Sequence, residues 1–184
     1  MKIGYCICGS FCTHKNSLSC LEKLCEKHEV VPILSEIVTA TDTRFGKAEE
    51  LIKKVTGLCK REPVTQIKDA EPLGPKEPLD LLLICPCTGN TLAKLAAGIT
   101  DSTVTMAAKA TVRADRPVLV ALCTNDALGA NLKNIGELLN RKNYYFVPLH
   151  YDDPVNKPHS LVSDFSKVPE CVTLAMRGIQ PPVF

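Results

Sequence analysis

Leu79-Asp80-Leu81-Leu82-Leu83-Ile84-Cys85-Pro86-Cys87-Thr88-Gly89-Asn90-Thr91 is the stretch that decides the fold. Residues 79–85 are almost continuously apolar and are bounded by Pro78 and Pro86. A strand covered on one face alternates apolar with polar residues, whereas a near-unbroken run belongs to a central parallel strand buried on both faces. The run ends in a Thr-Gly-Asn-Thr turn. Beyond it Leu92, Leu95, Ala96 and Ile99 fall on one side of a helix closed at Gly98. The unit is strand, polar turn, helix.

Working outward, the unit recurs. Upstream, 3–8 is a short β-prone run that stops at Gly9-Ser10, and Leu18, Leu21, Leu24 and Cys25 then recur at helical spacing. Residues 30–34 form a second apolar run, followed by Ser35, Thr39 and Thr41 and by Ala48, Leu51, Ile52 and Val55 on one helical stripe. Downstream, Asp101-Ser102 can cap a helix running to about Arg113. Next come a strand at 117–122, a Thr124-Asn125-Asp126 loop, a helix marked by Leu132, Ile135, Leu138 and Leu139, and a final strand at 144–149. The stretch 59–78 is rich in proline and charge, and only 64–67 looks strand-like. From about Tyr151 the prolines at 154, 158 and 169 suggest an irregular arm with one short helix near 170–176.

Alternating strands and helices predict an α/β fold, a doubly wound and mostly parallel sheet with helices on both faces. Residues 1–184 form one domain on this reading, with the arm appended. Right-handed crossovers put every loop that follows a parallel strand on one edge, where such sheets bind ligands at the point of strand-order reversal. Those loops carry Gly9, Ser10 and Thr13; Ser35; Thr88, Gly89, Asn90 and Thr91; and Thr124 and Asn125. Hydroxyls and amides at helix N-termini suit a phosphate, because orphan N–H groups and the positive dipole end point at it. Taken one at a time, the same residues are ordinary caps and turns; together on one edge they form a candidate cradle. No Walker motif and no G-x-G-x-x-G fingerprint accompanies them.

Composition narrows the classes. The 184 residues include 22 Lys and Arg against 20 Asp and Glu, a formal charge of +2 with the signs interspersed. That balance gives no basic face for nucleic acid or anionic lipid, and no apolar run approaches a membrane span. The N-terminus lacks a signal-peptide pattern, so a cytoplasmic location is expected. In a reducing compartment the ten cysteines are expected as free thiols; the C-x-C spacing of Cys6 and Cys8 suits packing on one strand face rather than ligation, and no metal is expected. Cys12, Cys87 and Cys123 are the candidates for thiol chemistry. The four histidines lie in separate segments, and no catalytic residue is identifiable.

Residues 86–94, Pro-Cys-Thr-Gly-Asn-Thr-Leu-Ala-Lys, with Ala96, Gly98, Ile99 and Asp101, resemble the central signature of the flavoproteins that include flavin prenyltransferases and phosphopantothenoylcysteine decarboxylases. Gly9-Ser10, Thr43-Arg44-Phe45-Gly46, residues 70–75, 106–110, 124–129 and 142–148 are similar to one branch, the B subunits of dipicolinate synthases. The likeness runs through Gln180-Pro181-Pro182. It implies a Rossmann-like flavoprotein fold and FMN as cofactor, with Gly9, Ser10 and Thr13 near the phosphate or ribityl chain, Ser35 after the second strand, and 88–91 closing on it. It further implies a dehydrogenase-like A subunit as partner, oxidation of dihydrodipicolinate to dipicolinate in spore-forming bacteria, and a homo-oligomer, trimeric or larger. A small dicarboxylate needs cations, and Lys94, Lys109, Arg113 and Lys133 are the candidates, though a lysine or arginine on a helix is more often part of a solvated face. The decarboxylase branch carries a His-Ile pair where this chain has Gln66-Ile67-Lys68-Asp69, and the prenyltransferase branch an arginine where it has Met106. An FMN-dependent lyase and a noncatalytic partner of the A subunit remain as alternatives.

Overall fold

The computed structural model describes residues 1–184. Five parallel strands form the spine: β1 (Lys2–Ile7), β2 (Glu29–Leu34), β3 (Leu81–Cys87), β4 (Val118–Thr124) and β5 (Tyr144–Phe146). They lie side by side in the order β2-β1-β3-β4-β5, with β1 and β3 adjacent at the centre. The chain winds one way from β1 to β2 and the other way from β3 onward. The crevice of such a sheet opens at that reversal, outside the carboxyl ends of β1 and β3.

Alternate residues of the central strands enter two apolar layers, which is why the runs are continuous. Cys6, Cys8, Leu82, Ile84, Val118 and Val120 face one layer. It is closed by α5 (Gly89–Ala97), α6 (Thr103–Arg113) and α7 (Leu132–Leu139). Ile3, Tyr5, Ile7, Leu81, Leu83 and Leu119 face the other. That side is covered by α1 (His14–Cys25), α3 (Ala48–Cys59) and α8 (Val168–Met176). Thr88 caps α5 with its side chain, Gly98 ends it in the left-handed conformation, and Ser102 caps α6 through a reciprocal pair of bonds with Thr105. The helix after Asp101-Ser102 is therefore capped by the serine, not the aspartate. Pro86, unusual in a central strand, sits where the β3–β4 register shifts between Ile84 and Cys87.

Three expectations are corrected. The strand expected at 64–67 is a single bridge from Val64 to Ile33, and the chain then turns into the short helix α4 (Ile67–Ala70). Pro63 has no N–H with which to extend a ladder. The strand expected at 144–149 breaks at Val147-Pro148, so β5 ends at Phe146 and β6 (Leu149–Asp153) begins afresh. Part of the segment expected to be irregular is β7 (Lys157–Ser163), antiparallel to β6 and joined to β4 through Cys123 and Thr124. This hairpin is polar and largely exposed along its outer half, so no apolar alternation announces it. The tail returns to the sheet, where Gln180 bonds both the N–H and the C=O of Phe146 at 2.8 and 3.0 Å.

Candidate functional site

A cleft of about 1070 Å³ opens at the carboxyl edge of the sheet. Its wall contains Gly9, Ser10 and Thr13 after β1, Thr88, Gly89 and Asn90 after β3, and Thr124 and Asn125 after β4. Two of the residues expected there lie behind the wall. Thr91 is buried, its hydroxyl receiving a bond from Thr88 and facing the Cys8 sulfur at 3.5 Å. Ser35, N-cap of the short α2 (Glu36–Ala40), is buried with its hydroxyl unpartnered.

The donors of the wall differ in how they are used. Thr88 Oγ1 accepts from Thr91 N–H at 3.2 Å, and Thr13 donates to the Ser10 carbonyl at 2.8 Å. Thr124 donates to Asp126 at 2.5 Å and Asn131 to the same carboxylate oxygen at 2.8 Å. The Thr124 hydroxyl bond, seconded by Asn131, holds the Asp126 carboxyl below the usual aspartate value. The side chains of Ser10, Asn16 and Asn90 make no hydrogen bond to the protein, and the buried Ser163 hydroxyl on the hairpin side is orphaned. Buried polar groups are normally paired, so an orphan hydroxyl lining a cleft has bonding capacity left for a bound molecule or water. Gly89 closes the floor: a Cβ there would meet Asn131 Nδ2 and Thr124 Oγ1 at 2.5 Å. A phosphate-bearing group fits these residues, since the N-terminal N–H groups of α5 and uncommitted hydroxyl and amide donors converge on space that side chains leave open.

The hairpin supplies groups that sequence reasoning missed: His150, Asp152, Lys157, Ser160 and Ser163 all line the cleft. Lys157 pairs with Asp152 at 2.7 Å, which raises the lysine pKa. Arg44 and Phe45 form the opposite lip. The four substrate candidates, in contrast, are not brought to the cleft. Lys94 is tied to Asp101 at 2.8 Å, Lys133 is exposed on α7, and Lys109 and Arg113 line a separate cavity beside α6. Of the thiol candidates, Cys12 is exposed on the cleft wall. Cys87 is fully buried with its pKa pushed up by burial, and burial lifts Cys123 to about 11. Neither is a ready thiolate.

A doubly wound sheet in this order, with such a cradle at its reversal point, defines a class of nucleotide-binding proteins. The chain belongs to the Flavoprotein family, whose model matches residues 1–172. It is similar to the dipicolinate synthase B subunit of Bacillus subtilis (strain 168), with 44% identity over 98% of this chain and 92% of that protein. The crystal structure of the dipicolinate synthase B subunit from Bacillus halodurans matches with a TM-score of 0.90 and 43% identity, covering 98% of this chain and 93% of that one. An FMN-dependent cysteine decarboxylase, SpaF, shares the fold at 22% identity, with a TM-score of 0.69 over 95% of this chain and 97% of its own.

Proposed function

We propose that the chain is the FMN-binding subunit of a dipicolinate synthase, acting with an A subunit in the oxidation of dihydrodipicolinate to dipicolinate. The observation that carries this reading is the set of unengaged side-chain donors that line the cleft, Ser10 after β1, Asn90 in the first turn of α5 and Ser163 on the hairpin. The near full-length likeness to B subunits supports the choice of branch. The oxidation removes a hydride and a proton from the dihydropyridine ring. Bound FMN supplies a two-electron acceptor for such a reaction. Ser10, Thr13, Thr88, Gly89 and Asn90 would hold its phosphate and ribityl chain, and the Thr124–Asp126–Asn131 network keeps the floor rigid behind them. Asn125, whose side-chain oxygen faces the Ser160 hydroxyl at 3.4 Å, ties the floor to the hairpin.

The test is direct. Purified protein should take up FMN and show flavin absorbance, and a mixture with the A subunit and dihydrodipicolinate should form dipicolinate. Asn90→Ala should slow both. Dipicolinate formed equally fast by this variant refutes the flavin role, and a protein that takes up no FMN leaves only a noncatalytic partner.

A further inference from the structure

A dianionic substrate entering the cleft meets a wall that is nearly compensated within itself. Its acids are Asp126, Asp152 and Asp164, and its permanent cations are Arg44 and Lys157. Asp126 is committed to Thr124 and Asn131, Asp164 accepts from both the N–H and the hydroxyl of Ser166, and Lys157 is paired with Asp152. Arg44 has no carboxylate partner and makes no hydrogen bond. It is the one permanent cation of the wall left over.

Its placement is built rather than incidental. Residues 43–46 form a closed turn, with Thr43 N–H bonding the Gly46 carbonyl at 3.0 Å and Gly46 N–H the Thr43 carbonyl at 3.1 Å. The Thr43 hydroxyl also accepts from Phe45 N–H at 3.1 Å. Gly46 has φ +146°, and a Cβ placed on it would have nothing within 4 Å, so the backbone conformation, not space, calls for glycine. Just outside the turn, Asp42 accepts from Ala48 N–H at 2.9 Å and anchors the loop to the start of α3. The Arg44 guanidinium stacks over the Phe45 ring with its carbon 4.8 Å from the centroid. Stacking uses the face of the guanidinium and leaves its N–H edge free, the edge that matches a carboxylate bidentately.

We propose that Arg44, presented by the 43–46 turn at the lip of the cleft, binds one carboxylate of the dicarboxylate substrate. This rests on the function proposed above for the same cleft and adds the residue that selects the substrate. Arg44 is exposed and leaves no buried partner behind, so its replacement should not disturb folding.

The experiment is calorimetric titration of wild type, Arg44→Ala and Arg44→Lys with dipicolinate and with the monocarboxylate picolinate, in metal-free buffer, with and without FMN. Wild type should prefer dipicolinate. Arg44→Ala should weaken dipicolinate about 10- to 100-fold, as for loss of a charge-assisted bidentate contact, and bring the two ligands close to equal. Arg44→Lys should recover part of the loss, and FMN uptake should stay within about twofold of wild type in both variants. An unchanged preference in Arg44→Ala, or no dipicolinate binding by wild type with or without FMN, overturns the proposal. So does loss of FMN alongside dipicolinate, which would assign Arg44 to the cofactor. Failure of the flavin reading shows separately, as wild type that binds no FMN, and the dipicolinate titration is then decided on the flavin-free protein.

Discussion

The two ends of α5 face two different cavities. Its N-terminus, at Thr88–Asn90, opens into the cleft; its C-terminus, at Leu95 and Gly98, borders a cavity of about 520 Å³ that also contains Lys109, Arg113, Arg141 and Lys142 and no acidic residue. By count of cations the second cavity is the better anion site. The bonding says otherwise for two of them. Arg141 donates to the carbonyls of Leu95 and Ala96 at 3.1 and 2.6 Å and to Glu137, and Lys142 pairs with Asp115 at 2.8 Å. These are last-turn carbonyls of a helix end, where the dipole is negative; Leu95 C=O already accepts from Gly98 N–H, and Ala96 C=O has no backbone partner. Arg141 therefore completes the fold. At the other end the Thr88 hydroxyl is spent on the cap, but the side chains of Ser10 and Asn90 have no protein partner and the first N–H groups of α5 have none within the helix, so a count of cations alone does not identify the ligand site.

The largest effect that could break this contrast is expected at Gly89. A Cβ at that position strikes Asn131 and Thr124, so Gly89→Ala should cost about 1–3 kcal/mol by overpacking and lower FMN affinity more than tenfold. A variant that binds FMN like wild type would show that the floor is not at the site. Arg141→Ala should cost a similar 1.5–3 kcal/mol in denaturant unfolding, as expected for hydrogen bonds to a charged group, and leave FMN affinity untouched. The paired change Lys109→Ala with Arg113→Ala should shift stability by less than about 0.5 kcal/mol, separating the unbonded cations of that cavity from Arg141.

The two helix caps sharpen the comparison further. Thr88→Ala and Ser102→Ala each remove a side-chain cap and should each cost about 1 kcal/mol of unfolding free energy. Only Thr88→Ala should also weaken FMN. The smallest effect concerns pH. The folded-state pKa of Asp126 is depressed, so its stabilisation is fully present above the ordinary aspartate value of 3.8 and is lost as pH falls through the lower folded value. Asp126→Asn should therefore be less stable than wild type by about a few tenths of a kcal/mol near neutrality, and the gap should narrow in acid unfolding once pH falls below the ordinary value of 3.8.

How much of this was legible in the sequence follows from where apolar residues are used. Strands buried on both faces write themselves as unbroken runs, so 79–85 and 117–122 located β3 and β4, and Gly98 and Ser102 marked helix ends. Eight of the ten rim residues expected from the strand-end loops line the cleft; Ser35 and Thr91 sit just behind it. The hairpin was not legible, because β6 and the outer half of β7 are exposed and carry no periodic signal. The four candidate cations fall outside the cleft for a related reason. Helical spacing shows which residues share a face but not which cavity that face borders, and residues 43–46 stood out in the sequence as a family-like stretch without showing that Arg44 would reach the lip of the cleft.

The most direct measurement of the central claim is a comparison of FMN with riboflavin, which differ by the phosphate alone. Flavin-free protein should bind FMN at least about 100-fold more tightly, because the Ser10, Asn90 and α5 donors have no other anion to hold. Equal affinity for the two flavins would mean that those donors do not hold a phosphate, and would contradict the account.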